Sequence, residues 1–182
     1  MTREQLGELL VERAYLEGDF VLRSGRRSRY YLDKYRFETE PRLLAGLGRE
    51  LAALVREHGG DPELLAGPEL GAVPLASAVS MEPGLPFVIV RKEAKEYGTG
   101  NRLEGVFAPG QRVCVVEDVV TSGGALLSAV EALRDAGLHI SAAICVVDRE
   151  EGGAGAIAAA GVPFTALFTS SALGVGATPA SA

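Results

Sequence analysis

Along the chain the apolar positions switch between the two-residue repeat of a strand and the 3.6-residue repeat of a helix. Residues 3 to 16 carry Leu6, Leu9, Leu10 and Arg13 at helical spacing and predict an amphipathic helix. "DFVLRSGRRSRYYLD" predicts a hairpin, two short strands around a Ser-Gly turn. Pro41 opens "PRLLAGLGRELAALVREHGG", a helix with Pro in its first turn and Gly59 and Gly60 at its end. "ELLAG" reads as a short strand, "AVPLASAVSM" as a small-residue helix and "PFVIV" as a buried strand. A polar, Gly-containing loop of about fifteen residues follows, "RKEAKEYGTGNRLEG". Then come a strand "RVCVVED", a helix "SGGALLSAVEALRDAG", a strand "HISAAICVVD", a short helix "EGGAGAIAAAG" and a last strand "PFTALF".

Strands that alternate with helices, and are apolar on both sides, indicate an α/β fold with a parallel sheet covered on both faces. The tail "TSSALGVGATPASA" has no charges and, after Leu173, no bulky side chains, so a frayed end over 171–182 is expected. There is no internal repeat.

Composition narrows the picture. At 182 residues and 47% hydrophobic, the chain fits one domain with a full core. No apolar run approaches the roughly 20 residues of a membrane helix, and the first twenty residues lack the apolar stretch of a secretory signal. Cys114 and Cys145 each sit in an apolar strand and read as free core thiols, in keeping with a reducing cytoplasm. A net charge of −6 argues against a general nucleic-acid binder. Positive charge is nonetheless concentrated twice: Arg23, Arg26, Arg27 and Arg29 in "RSGRRSR", and Arg91, Lys92 and Lys95 in "RKEAK". Two of only three lysines fall in the second cluster, inside the long loop, where Gly98, Gly100 and Gly105 permit movement. A compact ammonium is not interchangeable with a guanidinium, so lysine is specifically suited to that loop.

The densest chemistry lies in "VCVVEDVVTSGGALLSAVEAL", residues 113–133. Glu117 and Asp118 close an apolar strand, and a carboxylate there costs free energy unless something pairs with it. Ligands of open parallel sheets bind at the carboxyl ends of the strands. Thr121, Ser122, Gly123 and Gly124 open the next helix, where orphan amides and the helix dipole favour a phosphate. A sugar phosphate fits, with its phosphate in the cradle and its hydroxyls on the carboxylates. The segment is neither a Walker P-loop nor G-x-G-x-x-G. The plainer reading, in which Thr121 and Ser122 cap the helix and the acids are solvated, competes with it.

"VVEDVVTSGGA" resembles the phosphoribosyl pyrophosphate (PRPP) signature of type I phosphoribosyltransferases: two acids, two apolar residues, then Thr and a small-residue loop. "LRSGRRSRYYLD", "RKEAKEYGTGNRLEG" and "VVDREEGG" are similar in order and spacing to segments of the orotate phosphoribosyltransferase family, over nearly everything from Phe20 to Phe168. The resemblance implies a type I phosphoribosyltransferase fold of one domain. Its parts would be a small N-terminal hood and base-binding hairpin (about 1–37), a PRPP-binding core (about 38–170) and a flexible lid loop.

The same resemblance implies the roles of individual residues. Glu117 and Asp118 contact the ribose hydroxyls, Val119 and Val120 continue the PRPP site, and Thr121, Ser122, Gly123, Gly124 and Ala125 bind the 5′-phosphate. Arg91, Lys92 and Lys95 meet the pyrophosphate and, with Asp118, carry catalysis. "GPELGA", 67–72, adds backbone amides. Arg23, Tyr30, Tyr31, Thr121 and Arg149 surround orotate. Mg²⁺ is the implied cofactor, held mainly by PRPP and water near Glu117 and Asp118. A cytoplasmic homodimer is implied, in which Arg91 and Lys95 reach the partner's site while Lys92 serves its own, with no nucleic-acid or membrane partner.

The chain departs from the family pattern in places. Arg23 stands where many members have Lys, and Tyr97 where the lid often has His, with Thr99 in place of Glu two residues later. A proton-handling role does not carry over to Tyr97, since a phenol's pKa is near 10. "GPELGAVP" lacks the lysine of some relatives, and His58 and His139 read as structural. Two other functions fit the same motif: transfer to a purine or uracil, and a PRPP-sensing regulator that binds nucleic acid.

Overall fold

The computed structural model describes residues 1–21, 27–93 and 102–175. Helix α1 (Arg3–Ala14) starts at a capping box, in which Thr2 and Gln5 satisfy each other's backbone amides, and it buries Leu6 and Leu10. It ends two residues earlier than its pattern suggests. Tyr15 is already paired with Leu32 in an antiparallel hairpin of β1 (Tyr15–Val21) and β2 (Arg27–Leu32). Directly after the hairpin comes α2 (Lys34–Glu38), which the periodicity does not reveal because five residues are too short to show a repeat. Helix α3 (Pro41–His58) follows, with Pro41 at its first turn and Leu43, Leu47, Leu51 and Leu54 buried on one face.

The rest alternates: β3 (Leu64–Pro68), α4 (Ala72–Met81), β4 (Phe87–Val90), β5 (Leu103–Glu104), β6 (Arg112–Val120), α5 (Gly124–Asp135), β7 (His139–Asp148), α6 (Gly153–Ala159) and β8 (Phe164–Thr169). Six strands form one sheet in the order β5-β4-β3-β6-β7-β8, parallel except where β5 runs against β4. β5 corrects the reading of 91–105 as an unpaired loop: Leu103 and Glu104 pair with Val90 and Ile89, and Arg91 N donates to Arg102 O at 2.8 Å. Two-residue strands have no sequence signature of their own.

Apolar strands with both faces covered are the expectation, and two separate cores bear it out. Leu6, Phe37, Leu47 and Leu75 pack with Cys114 and Ile144 on the face of α1 to α4, while Leu126, Val130 and Ile157 pack with Val115 and Cys145 on the face of α5 and α6. From β3 the chain moves outward to β4 and β5, then returns to place β6 on the other side of β3. Strand order therefore reverses between β3 and β6, and a crevice opens beyond their carboxyl ends. At the other end of the chain, order extends past Ser171. Ser171 N donates to Glu150 Oε2 at 2.7 Å and Val175 is buried, while the rest of the tail lies outside the described residues.

The first face depends on close approach of α3 and α4. A Cβ on Gly48 would stand 2.9 Å from Ala78 Cβ. Gly48→Val is expected to overpack this contact and cost about 2 kcal/mol, lowering the melting temperature by roughly 4–8 °C. An unchanged thermal midpoint would show that the helices can separate without loss.

Candidate active site

Strand β6 runs two residues beyond the predicted end, so Glu117 and Asp118 lie inside the strand, with 5% and 2% of their surfaces exposed. Adjacent strand residues leave opposite faces of the sheet, and the two carboxylates meet different surroundings. Glu117 lines a cavity of about 310 Å³ whose remaining wall is Val119 and the run 120–126. Its Oε1 accepts from Asp118 N at 3.1 Å, and its buried Oε2 has no protein partner. Burial, then the neighbouring Asp118 carboxylate, push the Glu117 carboxyl up to about 8.

The floor of that cavity is the start of α5. Gly123 is the N-cap, with φ +82°, a left-handed conformation that side chains rarely adopt. No side chain caps the helix, and Thr121 and Ser122 are exposed before it. The plainer reading of "TSGG" as a cap is thereby removed. Orphan amides at the positive end of the helix dipole face a cavity beside a carboxyl group, an arrangement that suits a phosphate ester carrying hydroxyls.

Asp118 is bound instead to Lys34 of α2. Lys34 Nζ donates to Asp118 Oδ2 at 2.6 Å, and Val119 N donates to Asp118 Oδ1 at 2.5 Å. Burial lowers the Lys34 pKa, but the Asp118 carboxylate and, behind it, Glu117 and Glu38 together outweigh burial, and the ammonium's pKa is raised. Glu38, one helical turn after Lys34, puts a buried carboxyl into the same space. Burial first, and the Asp118 charge second, push Glu38 up to about 8. Glu38 Oε1 is buried without a hydrogen-bond partner, so this carboxyl is held neutral beside the Asp118–Lys34 pair. Gly71, the N-cap of α4, closes the cluster: a Cβ there would collide with Asp118 Oδ2 and stand 2.7 Å from Glu38 Oε1.

Lys34 and Glu38 are functional candidates that motif reading misses. A signal for Lys34 existed, since it is the third of three lysines. A buried Glu on a five-residue helix leaves none.

Beyond β7, Arg149 N donates to Val120 O at 2.9 Å, which sets the residue beside the cavity wall. Its Nη2 donates to Tyr30 Oη at 2.8 Å and stands 3.0 Å from Glu151 Oε1, and its guanidinium is 4.9 Å from the Tyr30 ring centroid. Arg149 Nε is buried without a protein acceptor. Tyr30 stacks on Tyr15, whereas Tyr31 lies 5.6 Å from Phe20 by ring centroid, so the fold brings Tyr30 to Arg149 and places Tyr31 in a separate contact.

At the end of β4, Arg91 reaches Glu69 and Glu104 at 3.8 Å each, and Lys92 N donates to Glu69 Oε1 at 2.7 Å. The 67–72 turn, with a cis peptide between Glu69 and Leu70, is thus joined to the start of the lysine loop. Arg23, Lys95, Tyr97 and Thr99 lie outside the described residues. His58 and His139 stand apart from the crevice, at the end of α3 and the start of β7.

Two buried carboxyls raised to about 8 fix the sign of a pH effect. The unfolded chain ionises these groups from about 4.5, while the ligand-free fold keeps their protons. Stability therefore falls as pH rises from about 4.5 to about 8 and levels off above. Glu38→Gln is expected to make that fall shallower in urea titrations across this window, and an identical slope would contradict the burial of a protonated Glu38.

Comparison with known proteins agrees with this geometry. The profile of the phosphoribosyl transferase domain matches residues 36–158. The chain is 46% identical to the orotate phosphoribosyltransferase of Methanocella arvoryzae, over 93% of this chain and 95% of that one. It is 49% identical to that of Halobacterium salinarum, over 85% and 86%. The crystal structure of Mycobacterium tuberculosis H37Rv orotate phosphoribosyltransferase in complex with PRPP superposes with a TM-score of 0.81 at 35% identity, covering 95% of this chain and 99% of that one. Identity at this level across nearly the full length of its relatives, joined to the sheet topology and the Glu117–Ala125 cradle, means that the chain belongs to the orotate phosphoribosyltransferase family.

Proposed function

We propose that the protein transfers the 5-phosphoribosyl group from PRPP to orotate, giving orotidine 5′-phosphate and pyrophosphate in pyrimidine synthesis. The observation that carries this reading is Arg149. It is a buried guanidinium with an unpartnered Nε, held on Tyr30 and bonded through its backbone to Val120 in the cavity wall. Glu151 and Tyr30 occupy one end of the guanidinium, and a buried N–H left without an acceptor at Nε beside a phosphate cradle suits an anionic base better than a neutral purine or uracil.

In this reading the 5′-phosphate occupies the amides and hydroxyls of 121–125, and Glu117 and Asp118 take the ribose hydroxyls. The leaving pyrophosphate lies towards the 67–72 turn, Lys92 and Lys95. Orotate is already anionic or nearly so at the attacking nitrogen. The protein's contribution is therefore alignment of base and anomeric carbon, and stabilisation of charge as the bond to pyrophosphate breaks. The segment between Arg91 and Arg102 would act as the lid that keeps water from PRPP.

Among the described residues no group of three or more His, Cys, Asp or Glu could hold a metal. Glu117 Oε2, buried and unpartnered, fits an ion that takes its other ligands from PRPP and water. Mg²⁺ in that place would offset pyrophosphate charge. A homodimer is part of the proposal, with Arg91 exchanging its 3.8 Å contacts to Glu69 and Glu104 for the partner's pyrophosphate. The two free buried thiols are in keeping with the cytoplasm.

Loss of orotate absorbance that needs both PRPP and Mg²⁺, with uracil and hypoxanthine inert, is the expected result; turnover of either other base without orotate would overturn the assignment. Arg149→Gln is expected to raise the KM for orotate by about tenfold or more and to leave the KM for PRPP within about twofold. Equal loss for both substrates would assign Arg149 to the fold and not to the base.

A further inference from the structure

Lys34 and Glu38 have no part in the assignments above, yet they enclose Asp118, which does. Asp118 has both carboxylate oxygens engaged, one by its neighbour's amide and one by an ammonium 84 positions away. Glu38 and Gly71 fill the remaining space so closely that no Cβ fits at position 71. The ammonium comes from the residue two places after the end of β2, the strand that carries Tyr30. Lys34 thus joins the hairpin that holds Arg149 to the strand that holds the acidic pair.

We propose that Lys34 is a positioning residue for PRPP, fixing the Asp118 carboxylate in one orientation through their ion pair. This rests on the reading of Asp118 as a ribose ligand. Three features carry it. The pair is short, and Asp118 is buried while the Lys34 side chain is partly exposed, so solvent screens the contact from the lysine side alone. Val119 N and Lys34 Nζ each hold one carboxylate oxygen, so the plane of the Asp118 carboxylate is fixed at two points. Without the ammonium, Asp118 and Glu38 would face each other with no cation between them, and the Asp118 side chain would have one anchor, Val119 N, in place of two. Glu38 then acts as the wall that keeps the ammonium on Asp118.

A merely structural lysine would change stability alone, so the test reads PRPP binding by calorimetry in a double-mutant cycle. Wild type, Lys34→Met, Asp118→Asn and the double variant are compared, with thermal midpoints measured alongside. The double variant replaces a buried ion pair with neutral groups of similar volume, an exchange that folds tolerate, so the cycle still reports if Lys34→Met alone is unstable. Lys34→Met is expected to weaken PRPP binding by about tenfold or more in the wild-type background and by no more than about twofold once Asp118 is Asn. In steady state the loss should fall on the KM for PRPP, with kcat changed much less. Unchanged PRPP affinity in Lys34→Met, or an equal loss in both backgrounds, would overturn the positioning role while leaving the proposed reaction intact. Wild-type protein that binds no PRPP would instead overturn the reaction, and this inference with it.

Discussion

Burial of acidic side chains inside an apolar parallel strand is the constraint on which the rest of the site depends. β6 needs Val113, Val115 and Val116 to build two cores, yet it carries Glu117 and Asp118 before it ends. Two adjacent carboxylates with this little exposure cannot both be ionised without compensation. The fold resolves this by sending one to each face. Glu117 keeps its proton beside an open cavity, and Asp118 receives an ammonium from a different part of the chain. One acid is left available to a ligand and the other is fixed.

The topology explains why the compensation arrives where it does. Because strand order reverses between β3 and β6, the turn after β3 and the end of β6 face each other across the crevice. Gly71 comes from the first and Asp118 from the second, and only a residue without a side chain lets them close on Lys34. On the other side of β6 the left-handed Gly123 ends the strand's exit and starts α5 with its amides uncapped. β7 then delivers Arg149 next to Val120 through one backbone bond. The end of β6 and the connections after β3, β6 and β7 thus bring the acid pair, Gly71, the uncapped start of α5 and Arg149 to one end of the sheet.

Much of this was legible in the sequence where the signal is local. The strand 139–148 and the helix 72–81 have the boundaries their apolar runs and flanking Gly or Pro suggest. That the acid pair and "TSGG" meet at the end of one strand and the start of the next helix could be read because they are neighbouring residues with a chemical pattern. α2 and β5 could not, being too short to show a period, and β5 exists only through its pairing with β4. The Lys34–Asp118 contact was hidden for another reason: it joins residues 84 positions apart, and the only trace of it is that lysine is rare in an arginine-rich chain. Tyr30 and Tyr31 look equivalent in the sequence, and only the strand separates them, Tyr30 against Tyr15 and Tyr31 against Phe20.

The two cysteines have a different significance. Cys114 belongs to the core on the α1–α4 face and Cys145 to the core on the α5–α6 face. Burial pushes Cys114 up to about 12 and raises Cys145 as well, so neither offers a thiolate while the sheet is intact. An alkylating reagent can therefore modify each only when its own side of the molecule opens. The chain contains two built-in chemical clocks, one per layer, and their relative rates would report whether the two halves of the structure come apart together or in turn.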